Sequence, residues 1–428
     1  MFKKAFFSSV LSLSCLSSAS SLFALPEGGT TGSGNVTFDY SVPGALTITS
    51  TSDRSIVNWD SFSIDTSEST TITLPSSTSA ILNRVTGTTA SNLLGSLQSN
   101  GTVYLINQNG VIFGVDATIN TNSFLASTLD TLDSDFLSGG DMNFTGNIGA
   151  GATVINYGTI QVADGDVILL GYQVVNDSNL GTITASSGTI ALGAGQQIAV
   201  QPASSERIVI FPGGDSFANV TGLDNAGSLN SLIAELKADG NPYALAISHD
   251  PSGSVNASGP SSSQSGLITL RADGGVVEIN GPITSQNSDS TGGTVYILGD
   301  TITLDSNCYI DTSADQGGGP VFVGGSFNGA DGTIPNATDT TFTADAAIYT
   351  SAYINHDGGQ VVVWADNSVT FCGQVYANSG YISGNGGTVE FGGTNYLQFA
   401  GGVSNLNSDG SNGMLILDSN NIVYTPCN

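Results

Sequence analysis

The residues able to do chemistry in this chain are few, and their spacing limits what they can do. Two histidines, His249 and His356, lie far apart, with no cysteine or carboxylate at the spacings a zinc site needs. Both read as ordinary surface or loop residues. Asp130, Asp133 and Asp135 cluster, but glycoside hydrolysis needs two carboxyls at a defined separation with sugar-binding groups beside them. Cleavage of an acidic polymer would need cations to neutralise the substrate, and beyond Lys3 and Lys4 the chain has only Arg54, Arg84, Arg207, Lys237 and Arg271. There is no G-x-S-x-G elbow, P-loop or dinucleotide fingerprint. The expectation is a protein without catalytic residues, metal site or cofactor.

Three cysteines lie beyond the first 24 residues. Cys308 falls 16 residues after Gly292, and Cys372 falls 14 after Gly358. In a repeating strand array this sets the two thiols two layers apart, about 10 Å, beyond the roughly 7 Å Cα separation a disulfide tolerates. Both are expected to be buried fillers. Cys427, beside the last residue, is the candidate for an intermolecular disulfide.

The elements that carry these residues are strands. The sequence holds 428 residues with 56 Gly, much Ser, Thr and Asn, only 10% charged residues and a mean hydropathy of +0.13. Short alternating apolar runs recur throughout, which argues for stacked strands rather than disorder. The formal charge of −28 becomes −30 without Lys3 and Lys4, which disfavours nucleic acid and anionic lipid and fits a soluble exported protein. Residues 1–24 have a signal-peptide pattern: Lys3 and Lys4, an apolar run from Phe6 to Leu16, then small residues. The run is too short to span a membrane, and Ser12 stands where a lipobox would place an aliphatic residue before Cys15. Cleavage after Ala24 or after Ala19 fits.

Two families of internal repeat point to a solenoid. Asn156-Tyr-Gly-Thr-Ile160, Asn179-Leu-Gly-Thr-Ile183 and Asn225-Ala-Gly-Ser-Leu229 share one pattern. Farther on, Gly292-Gly-Thr-Val295, Gly318-Gly-Pro-Val321, Gly358-Gly-Gln-Val361 and Gly386-Gly-Thr-Val389 share another, each followed by a second inward candidate, Ile297, Val323, Val363 or Phe391. The glycines and asparagines suit corners, and the aliphatic residues that follow suit the bore of a parallel β-helix. The Gly, Asn and Pro-rich stretch from Ser326 to Asp339 reads as a surface loop. Leu229, Leu232, Ile233 and Leu236 follow helical spacing before Gly240 and Pro242, which predicts a short helical insertion over 229–238.

In the stretch SNGTVYLINQNGVIFG, residues 99–114, Val103, Leu105, Val111 and Phe113 alternate around a turn built from Asn107, Gln108, Asn109 and Gly110. It is flanked by Asn58-Trp59-Asp60-Ser61-Phe62-Ser63-Ile64, by Ile81-Leu82-Asn83-Arg84-Val85-Thr86-Gly87 and by Phe124-Leu125-Ala126-Ser127-Thr128. Taken in this order, these segments resemble the amino-terminal secretion domain of two-partner-secretion exoproteins, the filamentous haemagglutinin family. The subtype they resemble is that of the high-molecular-weight adhesins. The likeness is close over residues 26–140, and residues 241–428 look like the β-helical stretch behind that domain in longer members. Gln108 stands where the family usually has proline, which removes a locked φ from the turn, and the NPNL motif of the haemagglutinin branch is missing.

The resemblance implies a right-handed parallel β-helix with an N-terminal cap, divided as signal peptide 1–24, secretion domain 25–140 and β-helical repeats 141–428. It implies export by the general secretory route and recognition by a partner outer-membrane β-barrel transporter. Secretion-motif candidates are Asn58, Trp59, Asn83, Arg84, Asn107, Gln108, Asn109 and Gly110; Asn107 and Asn109 serve either the transporter or the solenoid's own corners. The destination is the cell surface or the medium, as an adhesin or structural exoprotein meeting a host-cell or matrix receptor. A secreted polysaccharide-binding or polysaccharide-degrading β-helix and a truncated export module stand as alternatives.

Overall fold

Strands that alternate in and out can bury their apolar side only by stacking, and in this chain they stack in register from end to end. The computed structural model describes residues 24–146, 152–177, 180–213, 217–258, 265–407 and 412–427. All but the last residue of the predicted signal peptide lies outside the described residues. The chain winds into a three-faced parallel β-helix. On the second face, Val57, Asn83, Leu105, Ala126, Leu169, Leu192, Leu236, Leu270, Ile297, Val323, Val363, Phe391 and Leu417 form one continuous column of paired residues, one per coil. The first face has its own column, including Leu97, Ile119, Ile160, Ile183, Leu229, Val255, Ile283, Ile310, Ile348 and Val375. At about 1.5–3 kcal/mol for each buried aliphatic side chain, these columns dominate the stability.

Both repeat families stack coil on coil. Val295, Val321, Val361 and Val389 pair in succession, and so do Ile160, Ile183 and Leu229. The insertion from Ser326 to Asp339 lies within a coil, between strands Val321–Val323 and Asp339–Phe342, and folds onto the outer surface. There the backbone N–H of Asn328 donates to both carboxylate oxygens of Glu390 at 3.1 Å.

The third face carries a polar run that composition alone does not reveal. Below Leu93 and Phe113 its column reads Asn156, Asn176, Asn225, His249, and then returns to Ile279, Leu304, Phe342, Phe371 and Phe399. The four polar residues are buried. Asn156 donates its Nδ2–H to Asn176 Oδ1 at 2.9 Å, and Asn176 donates likewise to Asn225 Oδ1 at 2.9 Å. Asn225 Nδ2 lies 3.2 Å from His249 Nδ1, and His249 Nε2 lies 3.1 Å from the Pro282 carbonyl. His249 Nδ1 also lies 3.0 Å from the Asn225 carbonyl, so a neutral ring donates to a backbone carbonyl from one nitrogen, Nδ1 or Nε2. His249 is therefore a buried terminus of an asparagine ladder, not the surface residue its isolation in sequence suggested. Solenoid corners hide such residues, which single-sequence patterns cannot place.

The first coil is closed by antiparallel pairing. Thr30–Ser33 lies against Arg54–Trp59, and Val36–Asp39 against Ala45–Ser50, so the open parallel edge is covered as expected of a cap. A second, smaller core lies outside the solenoid. Helix Asp133–Ser138 and an antiparallel sheet of Asp130–Thr131, Met142–Thr145, Gln197–Val200 and Ile208–Phe211 cover the outward apolar residues Ile56, Leu82, Tyr104, Leu125 and Leu170.

Beyond the placing of His249, three expectations fail. Residues 229–238 are not helical, because Ser228–Ala238 is one long strand. It runs from the first face to the second, paired on one side with Thr182–Ala194 and on the other with Ser254–Asn256 and Leu267–Ile279. Leu229, Ser231, Ala234 and Leu236 are buried, so the period of two slips by one at the bend and imitates helical spacing. Templates on both sides override local propensity. Cys427 is also not left for another chain: it is bonded to Cys372, with Cα atoms 5.9 Å apart, because the tail folds back across the solenoid end. There Gln398 Nε2 donates to the Thr425 carbonyl at 3.3 Å and Phe399 meets Tyr424 edge-on. Cys372 is thus a disulfide partner rather than a filler, while Cys308 is a free buried thiol.

Non-reducing electrophoresis is expected to show a monomer, with one thiol, Cys308, that a thiol reagent reaches only after unfolding. His249 gives a pH signature. Burial holds its pKa below the ordinary 6.5, outweighing the Pro282 and Asn225 carbonyls, which act the other way. The unfolded chain then takes up the proton first, so stability is full above about pH 6.5 and declines as pH falls through the window down to the depressed folded value. His249→Asn, which extends the ladder, is expected to flatten denaturant midpoints measured between pH 5 and 7.

Candidate functional site

Three of the four segments picked out by order in the sequence lie on consecutive coils at one corner, between the second and third faces, and the fourth, Phe124–Thr128, follows on the next coil. Trp59 is fully buried and meets Phe38 and Phe62 edge-to-face, with ring centroids 5.2 and 5.5 Å apart. Its indole Nε1–H donates to Asn83 Oδ1 at 3.0 Å, and Asn83 Nδ2 donates to the Tyr104 carbonyl at 3.3 Å. Asn83 is the one polar residue in the second-face column, and the indole above it explains why.

Arg84 points the other way. It bonds Asp130 at 3.0 Å, Asp133 at 2.5 Å and the Thr131 carbonyl at 2.8 Å, which pins the outer helix to the solenoid. Burial works against its charge, but Asp133 and Asp130 outweigh that and hold its pKa above the ordinary value. The aspartates that prompted a search for paired catalytic carboxylates are thus partners of one guanidinium, apart from Asp135 in the first turn of the helix.

The next coil closes the corner. Asn107 is fully buried, and its Nδ2 donates to the Thr89 carbonyl and to Ser91 Oγ, both at 3.0 Å. Its Oδ1 accepts the Asn109 backbone N–H at 2.9 Å and the Asn109 Nδ2–H at 3.0 Å. This is an Asx turn, which holds its shape without proline at 108. Gly110 donates to the Asn107 carbonyl at 3.1 Å and takes φ 122°, which explains glycine there. Asn109 Nδ2 reaches up to the Gly87 carbonyl at 2.9 Å, joining the turn to the preceding segment. At Gly87 a Cβ would fall 2.0 Å from the Asp60 carbonyl oxygen, so only glycine lets the first two segments approach.

The named residues therefore divide. Trp59, Asn83 and Asn107 are interior; Asn58 and Arg84 are half-buried; Gln108 and Asn109 are exposed, as are Asp60, Thr86 and Thr88. Sequence order located the corner but could not divide it this way. The outer helix and sheet were missed because their strands are short and split between 130–145 and 197–211. The charged pins under the outer sheet were missed as well. Glu235 accepts the backbone N–H groups of Arg207 and Ile208, and Lys237 bonds Glu206 at 2.6 Å and Glu235 at 3.3 Å. Among the described residues, no cluster of three or more His, Cys, Asp or Glu side chains could hold a metal ion.

Comparison with known proteins agrees with this architecture. The sequence model of the TPS secretion domain matches residues 43–270. The crystal structure of the HMW1 secretion domain from Haemophilus influenzae superposes with a TM-score of 0.72 at 30% identity, covering 93% of this chain and 99% of that one. Heme/hemopexin-binding protein of Haemophilus influenzae strain Rd is 33% identical over 177 residues, 38% of this chain and 19% of that protein. A second protein of that name from Haemophilus influenzae is 38% identical over 97 residues, 23% of this chain and 10% of its own length. The matched region thus spans less than a fifth of either relative.

Asn83→Leu continues the aliphatic column but strands the indole N–H and the Tyr104 carbonyl. It is expected to cost about 1–3 kcal/mol in denaturant unfolding. Adding Trp59→Phe removes the orphaned donor and is expected to recover most of that loss. Gln108→Ala, which touches neither partner, is expected to change stability by less than about 0.5 kcal/mol.

Proposed function

The chain belongs to the TPS secretion domain family of two-partner secretion exoproteins, and from that premise we propose that residues 25–140 direct export through a partner outer-membrane β-barrel transporter. The solenoid behind them then serves outside the cell as an adhesin or structural surface protein, without enzymatic activity. The observation that carries this reading is the full use of Asn107 inside the fold. Its side chain has no group left for a partner once the coil has closed, whereas in the unfolded chain the same amide is free. Asn83 is likewise fully buried, its amide engaged by Trp59 and the Tyr104 carbonyl. The residues that a transporter would read by strand addition are thus withdrawn as the coils form. Recognition belongs to the unfolded chain, folding ends it, and release is driven by the apolar area each new coil buries on its predecessor.

The outer surface of the later coils supports the adhesive role. Tyr349 and Tyr376 stack on neighbouring coils with centroids 5.1 Å apart, and Tyr353 and Tyr381 are exposed nearby in sequence. Such aromatic rows give a partner contact area without charge.

The test separates export from folding. Asn58→Ala and Asn109→Ala, at the half-exposed and exposed positions, are expected to lower the amount of protein reaching the medium by about tenfold when the chain is co-expressed with its transporter. The denaturant midpoint of the purified variants should shift by less than about 1 kcal/mol equivalent, below the about 1.4 kcal/mol to which a tenfold effect corresponds. Equal loss of export and of refolding would assign these residues to the corner alone.

A further inference from the structure

Glu68 lies at the corner that leads from the first coil into the second, and it is 3% exposed. Its carboxylate accepts the backbone N–H of Asp65 at 2.9 Å and the nitrogen of Ala24 at 3.1 Å to each oxygen. A buried carboxylate calls for a positive partner. Every cationic side chain beyond the leader is committed elsewhere. Arg54 bonds the Phe136 carbonyl and lies over that ring, and Arg84 holds Asp130 and Asp133. Arg207 holds Asp166, Lys237 holds Glu206 and Glu235, and Arg271 holds Asp273. His249 is locked in the asparagine ladder far along the chain. One cation remains unassigned, the α-ammonium group created when a leader is removed.

We propose that Glu68 is the docking site for the amino terminus of the processed chain, with the new α-ammonium of Leu25, one residue on from the Ala24 nitrogen that Glu68 holds in the uncut chain, as its ionic partner. The surroundings are built for this. Leu25, next in sequence, is buried in the main core, and the Tyr40 hydroxyl donates to the Pro26 carbonyl at 2.6 Å, so residues 24–26 are fixed from both sides. The contact joins the start of the chain to the turn that launches the second coil, 44 residues on. A terminus docked there completes the cap only in a molecule whose leader has been cut away. The inference rests on residues 1–24 being a cleaved leader, as the sequence predicts.

N-terminal sequencing of the exported protein is expected to begin at Leu25. A first residue at Ser20 would leave an internal amide on Glu68 and overturn the docking site while keeping the leader; an uncut Met1 would overturn both. Thermal melts then compare the exported chain with one that retains Ser20–Ala24, each with and without Glu68→Gln. A charge-assisted contact predicts that Glu68→Gln lowers the Tm of the exported chain by about 2–4 °C and that of the extended chain by much less. Equal shifts in both would make Glu68 an acceptor for an ordinary amide and refute the proposal. If Glu68→Gln does not fold, the extension alone decides: a Tm lowered by a similar amount supports the docked ammonium, and an unchanged Tm refutes it.

Discussion

Every coil of this protein must present, on each face, a side chain that fits those directly above and below it at the strand spacing of about 4.8 Å. This in-register stacking is the constraint from which the rest follows. It makes the sequence repeat without requiring identity, since Leu, Ile, Val and Ala exchange freely along the second-face column. It also explains why the buried amides of the bore are answered by a neighbour, on the next coil or in the same turn. Asn83 is answered by Trp59, Asn107 by Ser91 and Asn109, and the third-face asparagines by one another and finally by His249.

The same rule links the corner to its history. A residue whose partner sits on an adjacent coil has no partner until that coil forms, so buried amides are the groups whose surroundings change most between the unfolded and folded chain. The outer helix and sheet belong to this sequence of events as well. Arg54 and Arg84 leave the early coils and close onto residues 130–136, so the outer layer can lock only after the chain has advanced several coils. The few cations of the chain act as pins of this kind, and their scarcity makes each one traceable.

What was legible in the sequence was what repeats. Val295, Val321, Val361 and Val389 could be aligned by eye because the glycine pairs before them mark a corner, and they stack as aligned. The Asn-x-Gly family was legible in its aliphatic residue and in Asn156 and Asn225, which share one column. Asn176 stacks between them, a residue the pattern did not pick out, while Asn179 lies outside the described residues. The strand Ser228–Ala238 was misread because a bend shifts the inward alternation by one residue. The Cys372–Cys427 pairing was misread because coil spacing says nothing of a tail that doubles back. At the corner, order alone found the residues, but only the stacking partners separate those that face water from those that do not.

The bond between Cys372 and Cys427 joins positions 55 residues apart. A polypeptide with that bond closed is no longer a thread; it is a loop with a long leading strand, and the loop is two chains wide at every cross-section. A passage that admits a single extended strand admits this protein only while the bond is open. The closed bond is thus a mark of time as well as a tie: it can be made only once the last coil and the tail stand on the same side of any barrier the chain has crossed.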